Sequence, residues 1–193
     1  MNMKTLGLLA AVAVVIPATA SLAQEQTGTP AAEAIPQLMQ QLDQYQTAEA
    51  TIQKNLETFD TLDFDVYTNQ KWDRLGESHA EDILVHYPDG STTTGLEDHI
   101  AAISQTFVFA PDTHIDVHPI RFGSGPWTGV IGVLEGTFTE PMPTGDGETI
   151  PPTGKPFSLT MATIGHWTDA GVMDEEYLFY DNAEFMREIG LGQ

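Results

Sequence analysis

Residues 157–167 and 172–181 constrain the fold of this chain more than any other pair of segments. Phe157 opens a run rich in apolar and β-branched residues that ends at Trp167, and Val172 opens a second run that ends at Asp181. Asp169-Ala170-Gly171 lies between them, a glycine turn short enough to make the two runs an antiparallel hairpin. The second run carries adjacent carboxylates, Glu175 and Glu176, among aromatic and aliphatic neighbours. Consecutive strand residues point to opposite faces, so each face of the sheet receives one of them. The carboxylate on the apolar side has to be paired or raised in pKa. That is how a small fold makes a general acid or base.

The first residues read as a device for export. Lys4 precedes an apolar run at 6–16, and Ser21-Leu22-Ala23 offers small residues before a cleavage point. The apolar run is shorter than the roughly 20 residues a bilayer span needs. Residues 1–23 are therefore expected to be a secretory signal peptide and 24–34 a flexible lead. Residues 35–193 remain as a single domain, long enough for a real core. This predicts a periplasmic or secreted protein with no stable membrane association after cleavage. The chain has no cysteine, so no disulfide, thiolate chemistry or lipid attachment is available to it. Its formal net charge is −21, which argues against nucleic acid as a partner, since phosphates would be repelled.

Helices are expected first. Apolar residues at 38, 42, 45, 52, 56 and 59 predict an amphipathic helix, or two end to end, over 35–59. A short helix is expected over 70–78, with Trp72 and Leu75 inward, and another over 96–107, with Leu96, Ile100, Ile103 and Phe107 on one face. Strands are expected over 82–87, 113–122 and 127–139 before the closing hairpin; Pro119 favours an edge or a bulge in the second. Asp181 and Glu184 fit a capping box for a final helix over 181–189.

Four stretches carry a family resemblance. They are Glu81-Asp82-Ile83-Leu84-Val85-His86-Tyr87-Pro88-Asp89-Gly90 with Gly95 after it; Ala110-Pro111-Asp112; Gly136-Thr137-Phe138; and Pro151-Pro152-Thr153-Gly154-Lys155-Pro156-Phe157 with the segment from Gly171 to Asp181 and then Ile189-Gly190-Leu191. In this order they resemble the SnoaL-like polyketide cyclases, within the NTF2-like superfamily. Gly171, Glu175 and Asp181 match the pattern Gly-Lys-Ile-x-Glu-x-Trp-x-x-x-Asp, with Tyr177 at the tryptophan, Val172 at the lysine and Met173 at the isoleucine. His166 stands where relatives commonly carry arginine. The resemblance implies an α+β cone: a curved, mainly antiparallel sheet with N-terminal helices packed on its concave face. It also implies homodimers, and ring closure by an intramolecular aldol step without metal or organic cofactor, a carboxylate serving as acid and base.

The catalytic candidates are Glu175, Glu176, Asp181, His86, His166 and Tyr177. Simple alternation groups Met173, Glu175, Tyr177, Phe179 and Asp181 against Asp174, Glu176, Leu178 and Tyr180. Periodicity barely separates the two sets, and the family position of Glu175 favours the first as cavity-facing. Structural roles compete throughout: pairing with Arg121, Arg187 or a histidine for Glu175, a helix cap for Asp181, a hydrogen-bonded core residue for His86, and a surface pair with a glutamate for His166. His114-x-Asp116-x-His118 has strand spacing that can hold a metal, but Ile115 and Val117 claim the packed face, which leaves the trio to solvent or a partner subunit. No metal or cofactor is assigned. Trp72, Trp127, Phe107 and Phe109 belong to core or pocket wall, so the expected ligand is small and mainly apolar. The expected function is an exported, cofactor-free lyase- or isomerase-type enzyme that abstracts a proton from a small apolar carbonyl compound. The alternative is a non-catalytic small-molecule-binding or scaffold domain of the same fold.

Overall fold

The computed structural model describes residues 31–144 and 146–192. The expected signal peptide, and the expected lead as far as residue 30, lie outside the described residues. Gln40–Gln193 is one compact unit, and it holds every element discussed below except the start of the first helix. Among the described residues no helix is long and apolar enough to cross a membrane.

Helix α1 (Ala31–Thr61) begins before the expected boundary and takes in the last residues of the expected lead. Its apolar periodicity is used only towards its end. Leu56 and Phe59 are buried, whereas Leu38, Leu42 and Tyr45 are exposed. A π-helical turn, Leu62–Tyr67, continues from it, and a 3₁₀ turn, Trp72–Glu77, follows. Next come β1 (His79–His86), β2 (Thr92–Thr94), α2 (Leu96–Ile103) and α3 (Gln105–Phe109). The single helix expected over 96–107 is thus two, meeting at Ser104.

The strand expected over 113–122 is also two pieces, β3 (His114–Ile115) and β4 (Ile120–Ser124). Pro119, which has no amide hydrogen for a ladder, stands in the gap. The remaining main strands are β5 (Trp127–Thr137), β8 (Pro156–Trp167) and β9 (Met173–Phe179), with the small hairpin β6 (Met142–Pro143) and β7 (Thr149–Ile150) between β5 and β8. Helix α4 (Asn182–Glu188) closes the described chain.

Seven strands form one sheet in the order β2-β1-β9-β8-β5-β3, with β4 on β5. All pairings are antiparallel except β1 with β9. This is the expected α+β, mainly antiparallel architecture. The closing hairpin forms as predicted, and Gly171 supplies its turn with a φ of 80°, a backbone region that suits glycine.

One irregularity in this hairpin decides which side chains go inside. His166 pairs with Glu175 and Trp167 with Met173, so one step along β8 matches two along β9 and Asp174 is the extra residue of a β-bulge. The bulge resets the alternation. Met173, fully buried, now shares the inner face with Glu176, while Asp174 and Glu175 both turn outward. The sheet face expected to line the cavity, with Glu175, is therefore the outer one.

Two apolar clusters flank the inner face. One joins Leu56, Phe59, Leu62, Val66 and Leu75 to Ile83, Val85, Trp167 and Met173. The other joins Phe109, Ile115 and Leu134 to Phe138, Phe157, Leu159 and Ile189. Between them the sheet and helices leave a hollow.

Asp181 caps α4, its carboxylate accepting from the amides of Ala183 at 2.8 Å and Glu184 at 3.1 Å. Glu184 takes Arg187 as its partner instead of completing the box. Asp181→Ala is expected to lower unfolding free energy by about 1 kcal/mol, read from urea denaturation followed by circular dichroism. An unchanged midpoint would remove the capping role.

Candidate active site

The hollow is a cavity of about 350 Å³, within the range of small-molecule sites. Apolar side chains make most of its wall: Leu62, Leu75, Ile103, Ile115, Leu134, Leu159, Met161 and Leu178. Ionisable groups enter from opposite elements. Asp63 comes from the π-helical turn, His79 from the start of β1, His99 from α2 and Glu176 from β9; Tyr87, Thr93 and Tyr180 also reach it. Exposed Asp89, Ser91 and Asn182 also line it, so the cavity opens to solvent there.

Glu176 is 4% exposed. Its Oε2 lies 3.6 Å from His79 Nε2 and 3.6 Å from His99 Nε2, electrostatic contacts too long for hydrogen bonds. Burial pushes the Glu176 pKa up, but the two histidines, His79 first, more than offset it and hold the carboxyl below the usual glutamate range. Burial pushes His99 down to about 4, so its ring is neutral at ordinary pH. His79 Nδ1 bonds Ser78 Oγ at 2.9 Å, and His99 Nδ1 bonds the Tyr87 hydroxyl at 2.9 Å.

Asp63 has the opposite environment. Burial raises its pKa, and a hydrogen bond with His118 only partly offsets the rise. The His118 side chain is 2% exposed and packed between Phe64 and Phe59. Its Nε2 meets Asp63 Oδ2 at 2.8 Å and its Nδ1 meets Asp60 Oδ1 at 2.8 Å. Asp60 in turn pairs with Arg121. Burial alone would lower the His118 pKa, but its bonds to Asp63 and then Asp60 raise it. A relay of alternating charge thus runs from half-exposed Arg121 to a carboxylate on the cavity wall.

Of the six candidates read from the sequence, only Glu176 lines the cavity. Glu175, His86 and Tyr177 form a cluster on the outer face instead. His86 Nε2 lies 3.0 Å from Glu175 Oε1, the Tyr177 hydroxyl donates to the same oxygen at 2.7 Å, and the two rings stack at 4.1 Å. Those bonds, the Tyr177 one first, hold the Glu175 pKa low. His166 is also outside, its Nδ1 2.6 Å from Asp174 Oδ1 and its ring against Trp127. Trp127, expected in the core or pocket wall, is thereby on the outer face.

The metal-spaced trio does not share a side. His114 faces Asp116 and Glu135 at the surface, while His118 turns inward, because the strand ends at Ile115. Sequence reasoning missed Asp63, His79, His99, Tyr87 and His118 as site residues. For His99 a signal existed: it falls three residues after Leu96 and four before Ile103, on the inward stripe of α2.

Helices against a mainly antiparallel sheet, with a largely apolar cavity lined by buried acid–base groups, place the chain among α+β folds that carry an internal pocket. The family profile described as SnoaL-like polyketide cyclase matches residues 59–189, and the chain belongs to that family. Solved structures agree on the fold. A protein from Jannaschia assigned to the SnoaL-like polyketide cyclases is 22% identical, with a TM-score of 0.63 over 74% of this chain and 95% of that one. IdmH of Streptomyces antibioticus, assigned as a polyketide cyclase, is 22% identical, with a TM-score of 0.60 over 70% and 98%. A protein of Catenulispora acidiphila with a ketosteroid isomerase-like fold, solved with trimethylamine, is 18% identical, with a TM-score of 0.55 over 71% of this chain and 92% of that one. No curated protein matches the sequence.

His118 is expected to titrate above the ordinary histidine value of about 6.5, followed by NMR of its ring nitrogens. A group whose folded pKa is raised stabilises the fold fully below its unfolded value, and that contribution is lost as pH rises through the folded value. His118→Gln should abolish that slope in stability. A midpoint at or below the ordinary value contradicts the relay.

Proposed function

We propose that this chain is an exported cyclase- or isomerase-type enzyme that removes a proton next to the carbonyl of a small, largely apolar compound. One observation carries the reading. Two buried carboxylates, Asp63 and Glu176, line a single largely apolar cavity from different elements, with pKa values pushed in opposite directions. Such a divergence separates roles. Asp63, whose pKa burial raises above the ordinary carboxylate value, is the stronger proton acceptor of the two. His118 and Asp60 hold it in place and pass charge to Arg121. His79 and His99, set beside Glu176, form the polar group towards which the carbonyl is turned. The apolar wall between excludes water and sets the preference for hydrocarbon bulk. Export and assembly as a homodimer belong to the same proposal; cell fractionation and sedimentation of the mature chain test them.

Hydrogen–deuterium exchange in D₂O tests the chemistry without knowledge of the natural product. The protein is incubated with a panel of small apolar ketones and β-keto esters, and loss of the proton signal next to the carbonyl is followed by NMR. Exchange on at least one compound is expected, falling about 10²–10⁴-fold in Asp63→Asn, the usual worth of a positioned base. The acid limb of the wild-type rate should lie above the ordinary carboxylate value, since the base is lost as pH falls through a raised pKa. Glu175→Gln, outside the cavity, should leave the rate unchanged. No exchange on any member of the panel, or full exchange by Asp63→Asn, sinks the assignment.

A further inference from the structure

His79, His99 and Glu176 come from three elements, β1, α2 and β9, and each side chain is at least nine-tenths buried. Their candidate ligand atoms all lie within 4.8 Å of one another. The hydrogen bonds around His79 fix its tautomer. Ser78 Oγ donates its one proton to the Leu75 carbonyl at 3.1 Å, so it accepts from His79 Nδ1, which leaves Nε2 as the nitrogen turned to Glu176. That nitrogen faces Glu176 Oε2 at 3.6 Å, and among the described residues neither atom has a hydrogen-bond partner. Leaving two buried polar atoms unpartnered costs free energy. At 3.6 Å they stand too far apart to share a proton in a hydrogen bond, whereas a cation bonded to both satisfies each of them.

His99 adds a third atom directed at the same carboxylate oxygen. Both rings are anchored through Nδ1, one by Ser78 and one by Tyr87, and both turn Nε2 to a common point. Histidines that bind metals are oriented in this way, the second nitrogen held by a neighbour. Zinc–ligand bonds of about 2.0–2.2 Å put neighbouring ligand atoms of a tetrahedron roughly 3.3–3.6 Å apart. The two histidine–glutamate separations need almost no adjustment to meet that.

We propose that His79, His99 and Glu176 form a site for one divalent transition-metal ion of the zinc type, open on its remaining side to the cavity. Two imidazoles and one carboxylate suit such an ion better than calcium or magnesium, which prefer oxygen alone. Three protein ligands and an open position are the pattern of sites that take substrate. The site departs from the metal-free chemistry that the family resemblance implies. Its catalytic use, though not its existence, rests on the function proposed above. The substrate carbonyl oxygen occupies the open position. As the C–H bond beside the carbonyl breaks, its proton goes to Asp63 and its electron pair forms the enolate double bond. The carbonyl π pair moves onto oxygen, where the ion holds it. Without the ion, the Glu176 charge would oppose that developing oxyanion.

The untagged full chain, freed of metal with a chelator and dialysed, is titrated with cobalt(II) chloride. One equivalent is expected to bind with visible d–d absorption of low-coordinate cobalt and to be displaced by zinc. His99→Phe and Glu176→Gln should each weaken binding by about 100-fold or more, and Ser78→Ala, which frees the His79 ring, by about 10–100-fold. Asp63→Asn should bind cobalt as the wild type does, because the base is not a ligand. Many weak equivalents without visible absorption in the wild-type protein, or unchanged binding in both ligand variants, overturns the site. Cobalt binding that persists while the deuterium exchange assay stays silent supports the site and removes the function. Exchange at full rate in the chelated protein removes the catalytic role of the ion and leaves Asp63 as the base.

Discussion

Asp174 has no counterpart on β8, and everything about the cavity's chemistry follows from how the strand accommodates it. A regular ladder from Met173 onward would put Met173 and Glu175 on one face and leave Glu176 on the other. The bulge inserts one residue and so lets Met173 and Glu176 share the inner face. Met173 can turn inward there because Gly165, beside it on β8, presents no side chain where the methionine sulfur lies. The displaced polar pair is not wasted. Asp174 takes His166, and Glu175 takes His86 and Tyr177. Each outer carboxylate is satisfied in a half-exposed position, where pairing is easy and worth little. The inner carboxylate is left with the demanding environment.

Two carboxylates inside one apolar hollow are costly to keep there, and the fold meets that cost in two ways. Asp63 is served by a lateral network: His118, Asp60 and Arg121 in sequence, with charge delivered to the surface within a few side chains. Glu176 is served by two histidines that stand close without making hydrogen bonds. The first arrangement is closed, since both nitrogens of His118 are used. The second is unfinished, since its inward-facing atoms lack partners. Completed networks hold structure together, whereas unfinished ones invite a ligand. On the function proposed above, that contrast leaves Asp63 a held base and the Glu176 cluster open to a ligand.

The hairpin, the N-terminal helices, the α+β class and the family were all legible in the sequence, because they rest on periodicity, turn residues and motif order. The face of β9 was not. Alternation of side chains is reliable only while the ladder is regular, and one extra residue inverts every inference made beyond it. The same kind of failure hid Asp63. Its stretch reads as an acidic breaker, yet a π-helical turn with bonds from Thr68 to Asp63 and from Lys71 to Val66 carries the helix through it. Tertiary contacts make that possible, since the Thr68 hydroxyl ties the turn to Ile115 on β3. His118 was placed at the surface because a straight strand was assumed past Ile115. In each case a local departure from regular geometry brought a polar residue inside.

The charge of the chain bears on the receiving end in a way that the fold alone does not. A net −21 surrounds the protein with cations, and within a Debye length of roughly 8–10 Å this raises their local concentration without regard to identity. Surface carboxylates offer oxygen only, so they hold hard ions loosely and exchange them fast. His79 and His99 change the selection rule, because imidazole nitrogen favours transition metals over calcium and magnesium. Burial sharpens it further, since an ion must shed water to enter and is repaid only where all three ligand atoms meet it. The acidic surface therefore gathers ions, while the buried nitrogens discriminate among them. On the site proposed above, Glu176 gains its counter-charge from the medium, which the leucine, isoleucine and methionine side chains of the cavity wall do not provide.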